Sequence, residues 1–110
     1  MSLNLLKADA FREDFTLQAL WYVRQAGDEV ARRFQKSVDS TLTLLCAQPG
    51  LGRARHFRHP KLQGLRSFAV GRPFHRLLIF YRADEGTLQA VRLMHGARDL
   101  ARRLAEPTGT

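Results

Sequence analysis

The sequence predicts an α+β fold in which an N-terminal antiparallel helical hairpin packs on a small antiparallel β-sheet and a short C-terminal helix follows. Three observations predict it. Up to Pro49 the apolar residues recur at steps of three and four, the period that places side chains on one helical face. After Gly64 they alternate or run in short bursts bounded by turn residues, as in strands. Finally, 110 residues with 45% hydrophobic content suffice for one compact core, so a single domain over residues 1–110 is expected.

Leu3 to Lys7 is short and apolar and reads as a brief strand or an ordered arm. From Phe11 onward, Phe15, Ala19, Tyr22, Val23 and Ala26 form the stripe of a first helix. Leu20 and Trp21 lie off that stripe and either widen the buried face or dock on a separate partner; the first is expected, because aromatics at helical spacing usually pack internally. Gly27 tolerates left-handed geometry, Asp28 is suited to cap the next helix, and Glu29 complements the positive end of its dipole. The second helix carries Val30, Phe34, Val38, Leu42 and Leu45 on one stripe until Pro49-Gly50 stops it. Cys46, the only cysteine, falls in this apolar pattern and reads as a small buried residue.

Leu51 to Lys61 has no stripe and reads as a loop, the segment expected to move most. Arg66 to Val70, His75 to Arg82 and Thr87 to His95 read as three strands. Gly71-Arg72-Pro73 and Asp84-Glu85-Gly86 separate them at hairpin lengths. On the central strand His75, Leu77, Ile79 and Tyr81 share one side, and Arg76, Leu78, Phe80 and Arg82 the other. On the last strand Val91 and Leu93 alternate with Ala90, Arg92 and Met94, so the face bearing Arg82 and Arg92 is expected to be the less buried one. Ala97 to Leu104 reads as the terminal helix and the residues after it as a frayed tail.

Charge is segregated along this frame. Between Pro49 and Ala83 there are eight Arg or Lys and no Asp or Glu, which accounts for the whole formal charge of +8. Fifteen of the eighteen basic residues are Arg, whose planar fork pairs two-pronged with carboxylate or phosphate. Such a surface steers an acidic partner or a polyanion. The longest apolar runs are too short for a membrane span, and no leader pattern opens the chain, so a cytoplasmic location is expected. His56 and His59 sit on a cationic stretch without carboxylate or thiolate, a poor place for a metal ion. No cofactor and no metal are expected.

In this order and at these spacings, the words Pro49-Gly50-Leu51-Gly52, Pro60-Lys61-Leu62-Gln63-Gly64-Leu65-Arg66-Ser67, His75 to Arg82, and Val91 through His95-Gly96-Ala97-Arg98-Asp99 resemble the RelE/ParE superfamily of bacterial type II toxins, most closely its ParE branch. The resemblance covers nearly the whole chain. It implies a cytoplasmic toxin held in a hetero-oligomer by a co-expressed antitoxin, whose flexible acidic tail wraps the toxin. In the ParE branch it implies DNA gyrase as the target, poisoned without cutting nucleic acid; in the RelE branch it implies messenger RNA on the ribosome.

Arg66, Arg82, Arg92 and Arg98 are the candidate antitoxin contacts, the last also matching the terminal motif. The alternative is a metal-free endoribonuclease, in which Arg66 and Arg82 hold the phosphate and His95, or else His75, moves protons. The missing carboxylates between Gly50 and Ala83 weigh against catalysis, and His95 has a structural role open to it as the residue closing the last strand. A third reading is a basic nucleic-acid-binding module. Phe57, Phe68 and Phe74 are spaced too irregularly among the basic residues to form a stacking platform for it.

Overall fold

The computed structural model describes residues 2–96. Arg98 and the helix expected at its side lie outside the described residues. Strand β1 (Asn4–Lys7) leads into helix α1 (Asp9–Ala26) and helix α2 (Asp28–Ala47). Strands β2 (Arg53–Ala54), β3 (Arg66–Ala69), β4 (Leu77–Asp84) and β5 (Thr87–His95) follow. The sheet order is β1-β5-β4-β3-β2.

Four of these strands run antiparallel to their neighbours, but β1 pairs parallel with the first half of β5, from Asn4 opposite Thr87 to Lys7 opposite Ala90. The sheet is therefore mixed. A parallel neighbour requires a long crossover, and here the chain between β1 and β5 comprises both helices and strands β2 to β4. Gly27 alone joins the two helices. At φ +93° it occupies a conformation that a side chain disfavours, and its N–H donates to the Tyr22 and Val23 carbonyls. The N-terminal cap of α2 is thus this glycine, and Asp28 begins the helix itself.

The stripe read on α2 is buried as expected. Phe34, Val38, Leu42 and Leu45 pack with Phe11 of α1 against Leu77, Ile79, Tyr81, Leu88, Ala90 and Leu93 of the sheet. Phe34 stacks on Phe15 at 5.3 Å and meets the Phe74 ring at a steep angle at 5.4 Å. Cys46 is buried in the same layer, and burial raises its thiol above the ordinary value.

β4 begins at Leu77 rather than His75 because residues 71–76 are drawn into successive turns, Phe74 N–H to Gly71 O and Leu77 N–H to Phe74 O, each 3.0 Å. These turns are held on α2. Gly71 N–H donates to Thr41 Oγ1 at 3.2 Å and Ser37 Oγ donates to Gly71 O at 3.0 Å.

The second face of the sheet is not open. Leu62 and Leu65 cover Phe80 and Met94 there, with Phe57, Leu78 and Val91 packed around them. Of the stretch expected to move most, Leu51 to Lys61, Phe57 packs on this cluster, and Leu62, which follows it directly, is only 3% exposed.

A bulge corrects the expected alternation on β5. Phe80 faces Arg92 and Tyr81 faces Ala90, leaving Val91 as the extra residue. The phase flips across it. Ala90 and Leu93 both face the helices, while Val91 and Met94 face the loop.

Candidate functional site

The basic residues singled out by the sequence divide between the two faces of the sheet. Arg66 stands opposite Tyr81, whose ring lies in the core under the helices, while the next residue on the strand, Arg82, stands opposite Gln89 and points the other way.

On the helix-facing side, Arg66 Nη1 donates to Gly52 O at 2.8 Å. The Tyr81 hydroxyl accepts from Gly52 N–H at 2.9 Å and donates to Pro49 O at 2.6 Å. The Pro49 to Gly52 turn is thus fastened to the sheet by one phenol and one guanidinium. Burial raises the Tyr81 hydroxyl above its ordinary value, while the Gly52 N–H and the Arg66 charge pull it partly back.

On the other side, Arg82 clamps the covering loop. Its Nε donates to Gln63 O at 2.9 Å and its Nη2 to Lys61 O. Gln63 Nε2 donates in turn to Phe57 O at 2.7 Å, and Lys61 N–H to His59 Nδ1 at 3.1 Å. Arg55 Nε donates to Ser67 Oγ at 2.8 Å, with its guanidinium 5.8 Å from the centre of the Phe80 ring. Burial, and secondarily the charge of Arg53, lowers the Arg55 pKa from the ordinary arginine value. These arginines therefore have structural work as well as charge.

Arg92 departs furthest from expectation. Read as an accessible contact, it is instead paired two-pronged with Asp14 of α1, at 2.7 Å through Nε and 3.1 Å through Nη2, and its side chain is 11% exposed. Asp14 also accepts the Leu93 N–H at 3.0 Å. The reason lies in the sheet edge. β1 pairs with β5 only through Ala90, whose carbonyl accepts from Ala8 N–H, and beyond that point α1 lies along the strand. Asp14 was missed, although one signal was present: it sits three residues after Phe11, near the buried stripe, where a carboxylate needs a partner.

The alternative catalytic set does not assemble. Arg66 and Arg82 are on opposite faces, and His95 stands opposite Leu77, five residues along β4 from Arg82, roughly 17 Å at 3.3 Å per residue. His95 and His75 are exposed, the latter in the turns before β4.

Between α1 and the half of β5 that β1 does not reach lies a groove of about 670 Å³, walled by Leu17, Trp21, Tyr22, Phe74, Arg76 and His95 among others. Leu20 and Trp21, expected in the core, are 45% and 53% exposed, and Leu17 is 62% exposed. Tyr22 takes the core position beside Phe34, and Trp21 meets it edge-on at 5.3 Å from the outside. Large apolar side chains left open beside a groove mark an interaction surface. No described helix is long and apolar enough to cross a membrane.

Comparison with known proteins agrees with this geometry. Residues 6–100 match the family described as ParE toxin of type II toxin-antitoxin system, parDE. Eleven chains of solved structures match as well. One, from the chromosomal ParDE TA system from P. aeruginosa, is similar in fold at a TM-score of 0.68 and 18% identity, over 86% of this chain and 96% of that one. No curated protein matches the sequence.

Proposed function

The chain belongs to the ParE toxin family of type II toxin–antitoxin systems, and from that premise we propose that a cognate antitoxin with an acidic tail holds it inactive and that, once released, it binds and poisons DNA gyrase. The observation that carries action by binding is the dispersal of Arg66, Arg82 and His95. RNA cleavage needs a base, an acid and a cation around one phosphate, and these residues do not converge on one.

The groove beside α1 supplies the apolar part of the antitoxin surface. Leu17 and Trp21 offer buried area on binding, and Arg76 and His95 line the same groove. Arg66 and Arg82 each spend only part of the guanidinium on backbone carbonyls, and their remaining N–H groups are the anchors for the acidic tail as it wraps. Arg92 takes part indirectly, by keeping α1 on β5 and so shaping the groove wall. Its direct contact role, expected from sequence, passes to Arg76.

The test is supercoiling by purified gyrase with this chain added, alone and with the protein encoded beside it. Inhibition that the neighbour's product relieves is the expected result. Cuts at fixed codon positions in translated messages, lost in His95→Ala, would replace this reading with the ribosomal one.

A further inference from the structure

The loop-covered side of the sheet carries a group of cations of which the antitoxin reading uses Arg82 alone. Arg53 stands opposite Ser67, Arg55 reaches Ser67 from the same side, Arg82 rises from β4 under the loop, and Arg58 and Lys61 are exposed on the loop itself. Among the described residues no carboxylate pairs with any of them; the ion pairs present involve Lys7, Arg32, Arg33 and Arg92.

The crowding has a cost. Burial, and secondarily the like charge of Arg53, disfavours the protonated form of Arg55. A fold gains nothing by gathering like charges without counter-ions, whereas an incoming anion relieves them.

We propose that this side of the toxin, through Arg53, Arg55, Arg58, Lys61 and Arg82, binds the phosphodiester backbone of duplex nucleic acid. The chemistry of the surface selects that partner over the others. Its apolar residues, Leu62, Leu65 and Phe80, are turned inward, so among the described residues they are not offered to the side chains of an acidic peptide. Phe57 packs against the same cluster, and among the described residues this side does not present it as a free face to the unstacked bases of a single strand. Arg and Lys side chains exposed on a loop suit phosphates along a duplex, which they hold without reading sequence.

The experiment measures binding of the full chain, without gyrase, to short duplex DNA, duplex RNA, single-stranded DNA and polyglutamate over a range of salt. Duplexes of either kind are expected to bind with an affinity falling steeply as salt rises, by about 0.9 log units per log unit of salt for each phosphate engaged. The side chains of Arg53, Arg58 and Lys61 make no hydrogen bond or ion pair among the described residues, so the triple variant Arg53→Glu, Arg58→Glu, Lys61→Glu leaves the fold intact, which its thermal midpoint checks. It is expected to weaken duplex binding about a hundredfold near 0.1 M salt and to flatten the salt slope by about three.

A control with the same charge change elsewhere, Arg24→Glu, Lys36→Glu, Arg72→Glu, is expected to keep the slope. Equal losses in the two triples would show that net charge alone is responsible, and equal or tighter binding of single strands or polyglutamate would assign the surface to another partner. Either result overturns the proposal. Because gyrase is absent, the outcome is independent of the target reading.

Discussion

Gly52 lies so close over Tyr81 that a Cβ there would stand 2.3 Å from the phenol oxygen and 2.7 Å from the ring. The same glycine gives its N–H to that hydroxyl and its carbonyl to Arg66. Gly52→Ala is therefore expected to destabilise the fold by about 1–3 kcal/mol, the range for overpacking a filled site. Tyr81→Phe, which strands the Gly52 N–H, is expected to cost about 1–3 kcal/mol as well. Denaturant unfolding of the two variants measures both.

Asp14 and Arg92 are nearly buried and paired two-pronged, so removing the carboxylate takes from the guanidinium its ion pair with α1. Asp14→Ala is expected to cost about 3–5 kcal/mol. Replacing both, by Asp14→Leu with Arg92→Met, is expected to recover much of that loss. A double-mutant cycle by chemical denaturation checks the coupling.

Trp21 offers the opposite case, an aromatic whose loss the fold tolerates. Trp21→Ser is expected to change stability by about 0.5 kcal/mol or less while weakening the antitoxin complex by about 2 kcal/mol or more. Calorimetric titration against the antitoxin, beside a thermal melt of the free toxin, separates the two effects.

Alkaline pH is expected to lower the stability of this protein through its tyrosines and cysteine. Burial raises the pKa of Cys46, Tyr22 and Tyr81, so the folded state keeps protons that the unfolded chain releases. Their contribution is complete below the unfolded values and is lost as pH climbs through the folded ones, beginning at about pH 9 with the thiol. Cys46→Ala is expected to move the start of that decline towards the tyrosine range, as stability curves from pH 7 to 11 would record.

Arg82→Met removes both donors to the loop carbonyls. Amide hydrogen exchange across residues 55–65 is expected to speed up by at least tenfold, with α2 unchanged.

Much of this architecture was legible in the sequence. The stripe from Phe34 to Leu45 had one period and one possible partner surface, and the cluster of cations after Pro49 needed only counting. What escaped depended on non-local geometry. The bulge at Val91 reverses which residues face the helices, and nothing in the local alternation signals it. Arg82 and Arg66 read as charge because carbonyl acceptors on a distant loop have no side-chain signature. Trp21 lies off the main stripe of α1, and whether it widens the core or stays open beside a groove is decided by the sheet beneath it, where it is 53% exposed. The candidate groove was invisible for the same reason: it exists only because β1 stops at Lys7, opposite Ala90.

The meeting of β1 with β5 has a consequence for synthesis. β5 occupies the place between the first strand and β4, so until Thr87–His95 has been made the first strand has no neighbour and α1 has no strand to lie along. Contacts between such distant parts of a chain form late. A nascent chain consequently cannot complete its sheet until late in synthesis, and a product cut short before Thr87 lacks the strand that unites the molecule.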